Sequence, residues 1–109
     1  MGALIKNHEW KLGFNGEYWI PVEVIKDHAA GTTSVTMGLY KNQTLYDEVK
    51  DEPQMRSVNI LARKAGYRLE GIVADADITA GVQAYVPIVG PHPGMGQVQE
   101  NFFSDAELI

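Results

Sequence analysis

Apolar and polar residues alternate through much of the first half of the chain. Residues 8–14 (HEWKLGF) alternate weakly and lead to Asn15-Gly16, a dipeptide suited to a two-residue hairpin turn. Residues 17–26 (EYWIPVEVIK) then read as a strand. Tyr18, Ile20, Val22 and Val24 fall on one face, with Trp19, Pro21, Glu23 and Ile25 on the other. Pro21 has no amide hydrogen to give a ladder, which predicts an edge position or a bulge. After a turn at 27–31 (DHAAG), residues 32–40 (TTSVTMGLY) form a threonine-rich strand. Lys41-Asn42-Gln43 turns the chain back into a strand at 44–49 (TLYDEV), a second hairpin.

The period then changes. Asp51-Glu52-Pro53 supplies a cap, first-turn acid and a proline at a position where its missing donor costs nothing. Met55, Val58, Leu61, Ala62 and Ala65 recur at spacings of three and four, and Gly66 suits a helix C-terminus, so the pattern predicts one helix over about 53–65. Strands follow at 67–74 and 82–89, separated by a polar link at 75–81 (DADITAG). Residues 90–97 (GPHPGMGQ) form an irregular loop, and Ser104 with Glu107 stands at capping-box spacing for one terminal helical turn. The class predicted is α+β, dominated by β: an antiparallel sheet or small barrel of about five to six strands with one covering helix.

The length of 109 residues suits a single domain spanning 1–109, with N-terminal (1–7) and C-terminal (98–109) segments extended for docking. An apolar content of 45% is that of a globular protein. There is no cysteine, which removes disulfides, thiol nucleophiles and thiolate metal sites. A net charge of −5, with nine scattered cations, opposes nucleic-acid binding, which needs clustered cations. No apolar run is long enough to span a bilayer. The opening decapeptide lacks the apolar stretch of a signal peptide, so the cytoplasm, or a virion for a viral protein, is the expected location.

Candidate chemistry is sparse. His28 follows Asp27, and His92 lies in the 90–97 loop; either with a nearby carboxylate would serve a small hydrolase or isomerase, the lowest-ranked reading. Asp75 and Asp77 are weak metal candidates, since an aspartate pair also suits an ordinary turn. Asn42-Gln43-Thr44 matches a glycosylation sequon and reads as a hairpin turn. The glycines of 90–97 fit neither a P-loop nor a dinucleotide fingerprint, and no serine has a base and acid beside it, so no catalytic residue and no cofactor are expected.

Aromatic residues set the functional expectation. Trp10, Tyr18, Trp19, Tyr40, Tyr46, Tyr67 and Tyr85 exceed what one small core hides, and such side chains anchor interfaces. Trp10 and the apolar tail residues Phe102, Phe103, Leu108 and Ile109 are the expected interface, with docking on a neighbouring subunit favoured over docking on their own chain. The leading reading is a structural protein that self-associates and docks on another protein surface. The alternative is a small-molecule binding module whose pocket is lined by Trp19, Tyr40, Tyr46 and His92.

Residues 31–49 (GTTSVTMGLYKNQTLYDEV) resemble the threonine-rich strand, Tyr-Lys turn and Tyr-Asp/Glu strand of phage head-decoration (cement) proteins of the lambda type. Residues 71–81 (GIVADADITAG) are similar to the Gly-Ile link of that family, where the link precedes the hairpin instead of following it. The resemblance implies a homotrimeric, β-rich domain that clamps a capsid lattice and has no active site.

Overall fold

The computed structural model describes residues 2–85, 88–89, 97–98 and 101–109. Its centre is a five-stranded antiparallel sheet in the order β4-β3-β2-β1-β7. Strands β1 (Leu4–Lys11), β2 (Phe14–Asp27) and β3 (Thr32–Tyr40) form a meander. Helices α1 (Gln43–Val49) and α2 (Pro53–Val58) lead to β4 (Ala62–Glu70), which pairs with β3. A 3-10 turn at Asp75–Asp77, helix α3 (Ile78–Ala84) and a separate ribbon of β5 (Ile88–Val89) and β6 (Gln97–Val98) follow. The chain ends in β7 (Glu107–Leu108), laid against the start of β1. The β-dominated α+β class expected from the pattern is the class adopted, as a curled half-barrel with three short helices.

Both faces of the sheet are packed. On the concave face Trp19, Val35, Met37, Leu39, Tyr67 and Leu69 meet Ile78 and Val82 of α3 and Phe103 and Ala106 of the tail. On the convex face Tyr18, Ile20 and Tyr40 lie beneath Val49, with Leu45, Tyr46 and Ile60 packed around them. Two cores accommodate the aromatic surplus: Trp19, Tyr40, Tyr18 and Tyr67 are buried, and Trp10, Tyr46 and Tyr85 pack at the margins. Each large side chain so buried contributes about 1.5–3 kcal/mol. The curl is visible in Phe102, whose ring lies 4.2 Å from Lys6 Nζ of β1 and 4.4 Å from Lys64 Nζ of β4. In a flat sheet those strands would stand roughly 14 Å apart.

Pro21 marks a bulge, one of the alternatives its missing donor predicts: the β2–β3 register shifts between Pro21 and Glu23. One extra residue reverses the alternation, so Val24 packs into the concave core with Trp19 rather than with Ile20 and Val22. The hairpin turn lies at Leu12-Gly13, where Gly13 has φ +81°, and not at Asn15-Gly16, which is paired within β2. A Cβ on Gly16 would meet Leu39 at 2.8 Å, so that glycine serves close packing between strands.

Three segments differ in type from the pattern's prediction. Residues 44–49 are helical, not a returning strand, because Asn42 caps α1: its Oδ1 accepts from the Leu45 amide at 2.8 Å. The helix expected over 53–65 stops at Val58. Asn59 Nδ2 donates to the Met55 carbonyl at 2.7 Å, and the Leu61 amide is captured by the Leu39 carbonyl at 2.8 Å. Met55 and Val58 consequently face solvent, while Ala62, Tyr67 and Leu69 become the inward face of β4 across a bulge at Gly66 (φ +94°). Residues 78–84, expected as the end of a link and the start of a strand, are α3, whose Ile78, Thr79 and Val82 are buried at helical spacing. The tail makes turns and β7 in place of a helical turn.

Two buried side chains fasten the connections. Thr33 Oγ1 donates to the Gly71 carbonyl at 2.8 Å and accepts from the Val73 amide at 3.0 Å. Asn101 Nδ2 donates to the carbonyls of Val82 (2.6 Å), Gln83 (3.1 Å) and Tyr85 (2.9 Å), and its Oδ1 accepts from the Phe103 amide at 3.0 Å. Replacing Asn101 by Ala strands buried acceptors at a cost of about 1–3 kcal/mol. Asn101→Asp, which turns a carboxylate toward those carbonyls, is expected to cost more. Chemical denaturation of both variants checks the order, and equal midpoints for the two variants would contradict it.

Candidate functional surfaces

The convex side carries a groove of about 390 Å³ between α2 and strands β2–β4. Its floor is Ile20, Pro21, Val22, Ile60 and the buried Tyr40, and beside Tyr46 the exposed Arg56, Arg63 and Glu23 line its rim. Gly38 makes the floor possible, since a Cβ there would meet Val22 Cγ1 at 2.5 Å. The Tyr40 hydroxyl donates to the Arg56 carbonyl at 2.9 Å, tying α2 to the sheet, and its ring meets Tyr46 edge-on at 5.0 Å. Arg56 Nη1 donates to the Lys50 carbonyl at 3.1 Å. Burial raises the Tyr40 phenol, with Tyr46 adding to the shift and the two guanidiniums opposing it.

A second surface is the tip of the β1–β2 hairpin. Leu12 is 88% exposed and Phe14 55% exposed, with the Trp10 ring 5.8 Å from that of Phe14. Lys11 Nζ lies 5.8 Å from the Phe14 ring, leaving the tip apolar at its end and cationic at its side. At the other end of β1, Leu108 and Ile109 are nearly half exposed beside Leu4.

The third surface surrounds Phe102. Lys6 Nζ donates to the Phe102 carbonyl and pairs with Asp105, each at 2.6 Å. That hydrogen bond is the main reason the Asp105 carboxyl lies below its usual range. The His8 ring lies 5.8 Å from that of Trp19, tilted, and meets Phe102 edge-on at 5.4 Å.

The expected site residues are dispersed. Tyr40 and Tyr46 share the groove, whereas Trp19 lies on the opposite face, buried, with Nε1 donating to the Lys6 carbonyl at 3.0 Å. His92 lies outside the described residues. Of the tail residues expected at an interface, Phe103 is fully buried in its own chain, and Phe102 packs beside it while staying partly exposed. The terminal segments also pair with each other: the Ile109 amide donates to the Ala3 carbonyl at 3.0 Å. His28 is exposed in the turn after β2, where Asp27 Oδ1 accepts from the amides of Ala29 and Ala30. Asp75 pairs with Lys26 at 3.0 Å, and Asp77 is exposed. Among the described residues no three His, Asp or Glu side chains gather to hold a metal ion, and no helix is long and apolar enough to cross a membrane. Sequence reasoning missed Leu12, Phe14, Arg56 and Arg63. The first two were hidden by a turn placed three residues late, and Arg63 by a helix drawn into β4.

Comparison with family models, curated proteins and solved structures gives no match to this chain.

Burial, then the neighbouring Lys64 and Lys6, hold the His8 imidazole below its ordinary value. The unfolded chain therefore takes up this proton first as pH falls below about 6.5. His8 favours the fold above that pH, and the contribution is lost as pH falls toward the folded-state value. Between about pH 7.5 and 5.5 the melting temperature of His8→Gln should fall less than that of the wild type. Parallel slopes would contradict the assignment.

Proposed function

We propose that this is a structural interaction protein that self-associates and docks on another protein surface. The exposed apolar tip of the β1–β2 hairpin carries the reading. A single exposed leucine is ordinary, but Leu12, Phe14 and the half-buried Trp10 all lie at the end of the two-stranded β1–β2 hairpin. Leu108 and Ile109 form a second apolar patch at the opposite end of β1. Two different patches on one molecule favour a head-to-tail contact, tip on tail, which closes into a ring when the rotation permits. A three-membered ring is the assembly implied by the resemblance to phage head-decoration proteins, and a virion surface is the docking partner it implies.

Light scattering across a range of protein concentrations tests this reading. The wild type should have the mass of a closed oligomer. The double substitution Leu12→Ser and Phe14→Ser should give a folded monomer whose melting temperature no longer depends on protein concentration, because neither side chain supports the core and only the assembly contribution is lost. A wild type that stays monomeric at high concentration would overturn the proposal.

A further inference from the structure

We infer that the convex groove is a binding site for a small organic monoanion: one carboxylate carried on a short apolar body. The site is independent of the hairpin tip and shares no residue with it. Its volume of about 390 Å³ lies in the range of small-ligand sites, and Val22 and Ile60 give it an apolar floor.

The charge at its rim selects the ligand. The ion pairs among the described residues are Lys6–Asp105, Lys26–Asp75 and Lys50–Asp47, all made by lysines. Arg56 and Arg63 take no carboxylate there, although the chain carries fourteen acidic residues against nine basic ones. Both arginines line this groove, and the Arg56 side chain is held by the Lys50 carbonyl while its backbone is fixed by Tyr40. A planar guanidinium fork matches a carboxylate better than an ammonium does. Glu23 lies on the same rim and disfavours a second negative group, which makes the preferred ligand a monoanion.

Octanoate and octanamide differ only in charge at the head group and serve as matched probes, followed by amide chemical shifts of the full chain. Octanoate should shift the amides of Val22, Gly38 and Ser57 saturably, and octanamide should bind about tenfold more weakly or worse. Arg63→Gln, at an exposed position, should weaken octanoate by a similar factor, leave octanamide unchanged and melt like the wild type. Three results would each overturn the inference: equal binding of the two probes, octanoate binding unaffected by Arg63→Gln, or no saturable shift at the groove.

Discussion

The carboxamide of Asn101 lies where the last carbonyls of α3 meet the turn that sends the chain back across the sheet. A helix C-terminus leaves backbone acceptors without intrahelical partners, and burying them unpaired would be costly. The two N–H groups of this one side chain are shared among three carbonyls at the end of α3, and its oxygen accepts from the Phe103 amide. That geometry directs Phe103 against Trp19 and Tyr67 and places Phe102 between Lys6 and Lys64. Gln83 adds a second link, donating to the Ala106 carbonyl at 2.7 Å. The C-terminal segment is thus the cover of the concave core, and the arrangement of both sheet edges depends on it.

A curled sheet in so short a chain must be covered on both sides by short segments. α3 and the tail cover the concave face, and α1 and α2 cover the convex one. Short covers leave gaps at their margins, and the surfaces proposed for function lie at such margins. The groove opens where α2 fails to seal β2–β4, and the hairpin tip projects beyond the last covering residue. Among the described residues, lysines pair with three carboxylates, while Arg56 and Arg63 beside the groove pair with none.

Strand alternation up to Pro21, the threonine-rich strand and the β-dominated class were legible because each rests on local, period-two patterning. The helix drawn to residue 65 was not, because Leu61 and Ala62 satisfy a helical stripe and a strand edge equally well. A backbone bond from Leu61 to Leu39, some twenty residues away, decides between them. The caps of α1 and α3 were misread for a similar reason: Asn42 and Asp75–Asp77 suit turns and helix starts alike. Of the aromatic residues expected to line a pocket, Tyr40 and Tyr46 lie in one groove. Trp19 was grouped with them on residue type, although its alternate position along β2 places it on the opposite face.

Native-state hydrogen exchange tests most directly whether the tail is integral to the core. If it is, the Phe103 amide and the Trp19 indole hydrogen should exchange only through global opening, with protection equal to that of the β2–β3 ladder. A Phe103 amide that exchanges orders of magnitude faster than the ladder would show the tail detaching on its own, contradicting the role assigned to Asn101.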